Sequence, residues 1–285
     1  MAPLVWFITG SSSGLGYYLA LHALAAGHQV IASVRSRTKS SDAVQSIESK
    51  GGNVIELDVC EANSIADAAK KAQSFYGHID VLVNNAGYSL LGAVEDMRDN
   101  ENYLQFETNF FGPLRLIRAL LPSMRERRSG TIVNVTSIAG LDGLPSCGMY
   151  AGSKFALEGL SESLSRELEP FNISVLVVEP GAFRTNFLAA AIKNEAGLSQ
   201  AYRGTPVDAV LGKFDSMQGT QRGDPLKGVA RIFEVVTGEG SAGSLKGRIL
   251  RLPLGSDCVE RIEAKLESLS HDLDASREAA LSTDY

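Results

Sequence analysis

Tyr150 and Lys154 stand four residues apart in CGMYAGSKFALEGL (147–160), and Ser137 lies thirteen residues before the tyrosine in NVTSIAG (134–140). If a helix runs through the pair, positions i and i+4 share one face, so phenol and ammonium address one volume. A free phenol, with a pKa near 10, is a weak base at neutral pH. Lowering it by roughly 2–3 units takes about 3–4 kcal/mol of preferential stabilisation of the phenolate. An ammonium about 6 Å away, at an effective dielectric of about 20, supplies about 2.8 kcal/mol. The expectation is a phenol made more acidic by its lysine. Ser137 would then hydrogen-bond an oxygen to which Tyr150 gives, or from which it takes, a proton, polarising a carbonyl for hydride addition. The competing reading is an aromatic ring beside a solvated charge.

A second group of residues has the types and spacing to hold a phosphate. TGSSSGLG (9–16) sets Gly10, Gly14 and Gly16 in a turn that opens a helix, with Ser12, Ser13 and Leu15 between them. Bare N–H groups at a helix start, reached by backbone without side chains, suit a pyrophosphate. The spacing G-x-x-x-G-x-G is a relative of the G-x-G-x-x-G fingerprint rather than an instance of it. At the end of the second apolar run, ASVRSR (32–37) supplies Arg35 and Arg37 where a carboxylate would hydrogen-bond a ribose 2′-hydroxyl. An arginine fork onto a 2′-phosphate predicts NADP(H) over NAD(H), the alternative being a pair of exposed surface arginines. LDV (57–59), with Asp58 and Val59, and NNAG (84–87), with Asn85, Ala86 and Gly87, end the next two runs. Carboxyl ends of strands are where open α/β sheets bind ligands. Asp58 alone could equally cap the following helix.

The elements that must position these residues follow from the apolar pattern. LVWFIT (4–9), QVIASV (29–34), NVIELDV (53–59), DVLVNNAG (80–87), GTIVNVTS (130–137) and ISVLVVEPG (173–181) are β-branched and nearly continuous, as strands buried on both faces of a parallel sheet are. Helical segments lie between them, such as 19–27, 64–77 and 154–171. The alternation predicts an α/β, Rossmann-type, doubly wound parallel sheet of about seven strands with helices on both faces, GRILRLPLG (247–255) adding a late strand. Residues 1–285 read as a single dinucleotide-binding and catalytic domain. Periodicity fails from about 183 to 223, which reads as a functional insertion, and 256–285 reads as an amphipathic, acidic helical extension.

Composition narrows the class further. The 285 residues are 44% hydrophobic and carry a formal net charge of −6, without a basic block of the kind that grips a phosphate backbone, so nucleic acid is not an expected partner. The cluster MRERRSG (124–130) reads as a helix end, where cations meet the negative dipole terminus. Three scattered cysteines fit a reducing, cytoplasmic interior better than a disulfide framework or a metal site. No apolar run approaches the roughly 18 residues of a membrane span, and MAPLVWFITG (1–10) lacks a signal-peptide pattern.

Taken together, TGSSSGLG, NNAG, a serine thirteen residues before Tyr150, Y-x-x-x-K from Tyr150 to Lys154 and the PG of Pro180–Gly181 resemble the short-chain dehydrogenase/reductase family, in the family's order and over nearly the whole chain. The branch with hydroxysteroid and retinol dehydrogenases is most similar, its second strand ending in arginine as at Arg35. The resemblance implies that Tyr150 is the acid/base, that Lys154 lowers its pKa and holds the nicotinamide ribose, and that Ser137 orients the substrate. It implies that Asn109, in TNFFG (108–112), supports a proton-relay water, a residue otherwise readable as a helix kink. Asp58 and Val59 would contact the adenine, Asn85 to Gly87 the adenosine side, and Pro180, Gly181, Phe183 and Thr185 the nicotinamide end. Ser13 departs from the basic residue that many NADP-using relatives carry before the second glycine, which leaves phosphate recognition to Arg35 and Arg37. Position after Gly181 implies a substrate lid, and Leu141, Leu144, Met149, Phe187 and Leu188 point to a mainly apolar carbonyl or alcohol. A homodimer or homotetramer through helices around 102–125 and 150–171 is implied as well. Oxidation-direction dehydrogenation, epimerisation, dehydration and a cofactor-binding scaffold without turnover are the rival readings.

Overall fold

Every long strand of the central sheet delivers its carboxyl end to one edge, and that edge collects the residues singled out above. The computed structural model describes residues 2–285. In chain order these form β1 (Val5–Ile8), α1 (Gly14–Ala25), β2 (Gln29–Val34), α2 (Ser41–Glu48), β3 (Asn53–Glu56), α3 (Ala62–Tyr76), β4 (Val81–Asn84), β5 (Leu90–Leu91), α4 (Asp99–Phe106), α5 (Gly112–Arg127), β6 (Gly130–Val135), α6 (Gly148–Leu168), β7 (Ile173–Pro180), β8 (Ile192–Lys193), α7 (Pro206–Met217), α8 (Pro225–Thr237), β9 (Arg251–Leu254) and α9 (Ser256–Leu281). Seven strands make one parallel sheet in the order β3-β2-β1-β4-β6-β7-β9. The order reverses between β1 and β4, which opens the crevice where such sheets bind ligands.

The continuous apolar runs are explained by burial on both faces. Trp6 and Ile8 of β1 point into a core with Leu19 and Ala20 of α1 and Val229 and Phe233 of α8. Val5 and Phe7 point into the opposite core, with Ile65 of α3, Leu116 and Leu120 of α5 and Leu164 of α6. Each such side chain contributes about 1.5–3 kcal/mol by leaving water, which is what fixes β1 as an interior strand. The predicted helix end at 124–130 is where α5 stops, with Arg128 in the left-handed conformation at φ 51°.

Helices α1 and α6 begin at Gly14 and Gly148, so α1 opens at the glycine turn and α6 carries Tyr150 and Lys154. In the segment read as irregular, β8 pairs with β5 (Leu90↔Ile192, Leu91↔Lys193), and α7 forms with none of its residues buried. A helix that buries no face leaves no strong period to read. The base of this segment is closed by a parallel bridge between Phe183 and Gly223, with Arg184 N–H donating to the Gly223 carbonyl at 2.9 Å. Buried Asn194 ties it to the body, donating to the carbonyls of Asp96 at 3.0 Å and Gly197 at 2.9 Å. No helix among the described residues is long and apolar enough to cross a membrane.

Candidate active site

Ser137, Tyr150, Lys154 and Asn109 converge from three elements. Ser137 follows β6, Tyr150 and Lys154 lie in the first two turns of α6, and Asn109 sits in a π-helical segment, Glu107–Phe111, between α4 and α5. All four are buried. The Ser137 Oγ accepts from Ala139 N–H at 3.1 Å and points at the Pro180 carbonyl at 3.5 Å, so β6 and β7 both fix it. The Lys154 Nζ donates to the Val135 carbonyl at 2.8 Å and lies 5.9 Å from the centre of the Tyr150 ring. Asn109 donates to the Tyr88 carbonyl and to Ser153 Oγ, both at 3.0 Å, and accepts from Tyr88 N–H at 3.2 Å. Ser153 in turn donates to the Tyr150 carbonyl at 2.7 Å. The asparagine therefore bolts the turn after β4 to the tyrosine's own helical turn. Gly87 makes room for this: a Cβ there would stand 3.0 Å from Asn109 Oδ1 and 3.6 Å from Lys154 Nζ.

The electrostatics overturn the expected acidic phenol. Burial pushes Tyr150 up to about 12, while the nearby Ser137 hydroxyl pulls the other way. Burial also brings Lys154 down to about 8, opposed by the charge of Glu158. The attraction between phenolate and ammonium expected from spacing left out the cost of stripping water from both ions, and in this enclosed site that cost is larger. At neutral pH Tyr150 is thus a protonated donor beside a cationic lysine.

The glycine turn is built for close backbone approach. Gly10 and Gly14 have φ of 66° and 60°, which side chains disfavour. A Cβ on Gly16 would collide with Asn85 Nδ2 and come within 2.7 Å of the Gly10 carbonyl. That Asn85 amide donates to the carbonyls of Thr9 (2.9 Å) and Gly10 (3.1 Å), and Thr9 Oγ1 accepts from the N–H groups of Asn85 and Ala86, each at 3.0 Å. Thr9, which spacing along the chain does not single out, is the hub joining the glycine turn to NNAG. Ser13 caps α1 without a side-chain bond and the first turn holds no acidic residue, so its N–H groups stay open to an anion. A cavity of about 450 Å³ runs outside this turn, lined by Ser12, Ser13, Gly14, Tyr17, Tyr18, Asp42, Arg184 and Thr185 among others. Thr185 reaches across to the turn, its Cβ 3.6 Å from where a Gly14 Cβ would be. Arg35 is exposed at the end of β2 and makes no hydrogen bond or ion pair among the described residues. Leu15 packs partly buried against the core behind the turn. Open N–H groups and two glycines in left-handed backbone fit the pyrophosphate of a dinucleotide.

Several of the predicted cofactor residues already hold partners within the chain. Arg37 is already spent, donating to Glu48 Oε1 at 2.8 Å and to the Val54 carbonyl at 2.7 Å, so its fork is not free for a phosphate. The Asn85 side chain serves the glycine turn rather than an adenosine. Val59 is buried, its carbonyl and Cβ packed against Gly112. Phe183 packs its ring on Gly223 and Gly228 and on the core, anchoring the base of the insertion. Asp58 is half-buried and accepts from Cys60 N–H at 3.0 Å, a local turn and not a helix cap, since Glu61 caps α3. Pro180 is buried beside Ser137, and Gly181 is held by Asp257 of α9, which accepts from Ala182 N–H at 2.7 Å. No sequence signal distinguished Asp257. Of the apolar residues named for substrate, Phe187 stands with its ring 6.0 Å from that of Tyr150, and Leu141, Leu144, Met149 and Leu188 are half-buried.

Comparison with known proteins gives this geometry a context. The family described as short chain dehydrogenase matches residues 4–196. Oxidoreductase claN of Passalora fulva is 45% identical over 218 residues, covering 76% of this chain and 98% of the relative. Retinol dehydrogenase 8 of Bos taurus is 42% identical over 196 residues, 65% of this chain and 61% of the relative. The crystal structure of a short-chain dehydrogenase from Streptomyces avermitilis superposes over 100% of both chains with a TM-score of 0.89 at 37% identity.

Proposed function

The chain belongs to the short-chain dehydrogenase/reductase family of oxidoreductases, and from that premise we propose that it is an NADP(H)-dependent reductase of a mainly apolar ketone or aldehyde. Bound NADP(H) supplies the hydride, or accepts it in reverse. Ser137 hydrogen-bonds the substrate oxygen and Tyr150 gives that oxygen its proton. Lys154 holds its cation next to the phenol as the proton leaves, offsetting the negative charge that develops. Asn109 acts through Tyr88 and Ser153, keeping the turn of α6 that bears Tyr150 in register with Gly87. The observation carrying this reading is Tyr150 itself, enclosed between Ser137 and Phe187 with Lys154 5.9 Å from its ring. At neutral pH the phenol is in its protonated form, the form that gives a proton to the substrate oxygen in reduction.

Arg35, unpaired at the end of β2 where no carboxylate stands, supports the 2′-phosphate as the cofactor's distinguishing group. Phe187, its ring beside that of Tyr150, supports a hydrophobic substrate. Two of the three free cysteines are buried, in keeping with a reducing, cytoplasmic setting. The exposed Tyr103, Leu104, Phe111 and Phe155 on α4, the π segment and α6 support a homo-oligomer through those helices.

Tyr150→Phe tests the chemistry. Removing the proton donor is expected to lower NADPH oxidation with a panel of apolar ketones by about 10²–10⁴-fold. Quenching of protein fluorescence by NADPH should be retained. Turnover equal to the wild type would overturn the assignment of Tyr150, and NADPH binding with no turnover of any carbonyl by the wild type would favour a cofactor-binding scaffold.

A further inference from the structure

Directly beneath the proposed site lies a buried cluster of ionisable side chains that the mechanism above does not use. Glu158, one helical turn beyond Lys154 on the same face of α6, is buried. Its Oε1 accepts from Thr136 Oγ1 at 2.6 Å and its Oε2 from Arg251 Nε of β9 at 2.9 Å. Arg251 also donates to Glu162 at 3.1 Å, and its Nε lies 3.5 Å from Glu179 Oε1. Glu179, in β7, is 1% exposed, and that Oε1 accepts no hydrogen bond. Burial and the neighbouring Glu158 push Glu179 up to about 7.

The connectivity is what gives the cluster a role. Thr136 immediately precedes Ser137, and Glu179 immediately precedes Pro180, whose carbonyl faces Ser137. Lys154 itself donates to the carbonyl of Val135, the residue before Thr136. The Ile138–Gly140 turn lies against the same stretch of helix, a Cβ on Gly140 standing 3.0 Å from Glu158 Cγ and 3.3 Å from the Lys154 carbonyl. A structural ion pair alone needs only one carboxylate for Arg251. Here three surround it, and the most tightly held one is the one stacked under the lysine.

We propose that Glu158 is a positioning residue for the reaction, its carboxylate clamped by Thr136 and Arg251 so as to keep the charge on Lys154 and to lock the ends of β6 and β7 that present Ser137 and Pro180. The proposal rests on the reductase reading for its consequence in catalysis, but not for its effect on Lys154. The charged and titratable groups facing Glu158 are Lys154 and Glu162 from α6, Glu179 from β7 and Arg251 from β9; those facing Lys154 are Glu158 and Tyr150. Burial lowers Lys154 to about 8 and the Glu158 charge resists that lowering. Loss of the Glu158 charge therefore moves the lysine's titration further down, and the cation disappears at a lower pH.

The test is an NMR titration of the full-length protein labelled with [ε-¹³C]lysine, the Lys154 resonance being assigned by its loss in Lys154→Arg. In Glu158→Gln the midpoint is expected to fall by about two pH units, the effect of removing one charge a helical turn away at an effective dielectric of about 20. The alkaline limb of kcat for NADPH-dependent reduction should move down by the same amount. Thr136→Val, which leaves the carboxylate but strips a donor from it, should shift the midpoint the same way by less, and it serves if Glu158→Gln does not fold. Unchanged midpoints in both variants with only a lower Tm would overturn the proposal in favour of a purely structural ion pair. A shifted midpoint in a protein that reduces no carbonyl would support the charge coupling while refuting the reductase reading, so the two fail separately.

Discussion

At the scale of single residues, enclosure decides what each group can do. Tyr150 and Lys154 were legible as a pair from their spacing alone, but the direction of the phenol's shift was not. Coulomb attraction can be written down from a separation, whereas desolvation depends on what the rest of the chain packs around the ions. The two arginines after β2 divide for the same kind of reason. Arg37 finds Glu48 and the Val54 carbonyl, which are near it only because α2 folds back beside β3, and Arg35 finds nothing. Arg35→Ala is therefore expected to raise KM for NADPH about tenfold or more, the loss of one charge-assisted contact, with little change for NADH. Arg37→Ala should leave both KM values alone and lower Tm slightly. Steady-state kinetics with the two cofactors check this, and an unchanged NADPH preference in Arg35→Ala would remove the arginine from cofactor recognition.

At the scale of elements, the site depends on turns whose tolerance for a side chain varies sharply. Gly16 lies in the first turn of α1, where a methyl group would strike Asn85 and the Gly10 carbonyl. Gly16→Ala is expected to cost about 1–3 kcal/mol through overpacking, lower Tm by several degrees and weaken NADPH binding as the turn shifts. Gly143 is the control, exposed with nothing within 4 Å of where a methyl group would stand, so Gly143→Ala should match the wild type in both respects. Thermal melts with and without NADPH separate the two, and equal Tm values would show that the turn adapts. The glycine pattern was visible in sequence. Its partners were not: Thr9, Asn85 and Asp257 brace their turns through hydrogen bonds between segments about 75 residues apart, and no local pattern marks such pairs.

At the scale of the whole molecule, α9 begins as part of the fold and ends outside it. Cys258 is fully buried, Arg261 pairs with Asp142 at 2.8 Å, and every residue from Leu266 to the end is exposed. Removing residues 267–285 is expected to leave Tm within about 1–2 °C and the kinetic constants unchanged, because no buried surface is lost. A marked fall, measured by calorimetry on the full and shortened chains, would show that this helix is covered in solution. What the sequence by itself determined is the order of strands and helices, the double-sided burial of the sheet and the identity of the residues at its carboxyl edge. These follow from local composition and from spacing along one helix, which the chain carries with it wherever it goes. What only the tertiary structure decided is which of those residues remain free. Arg35 but not Arg37 is left without a partner among the described residues, and Phe187 but not Phe183 stands beside Tyr150. The pairing that uses up the others, like the desolvation that raises Tyr150, arises only when distant segments meet.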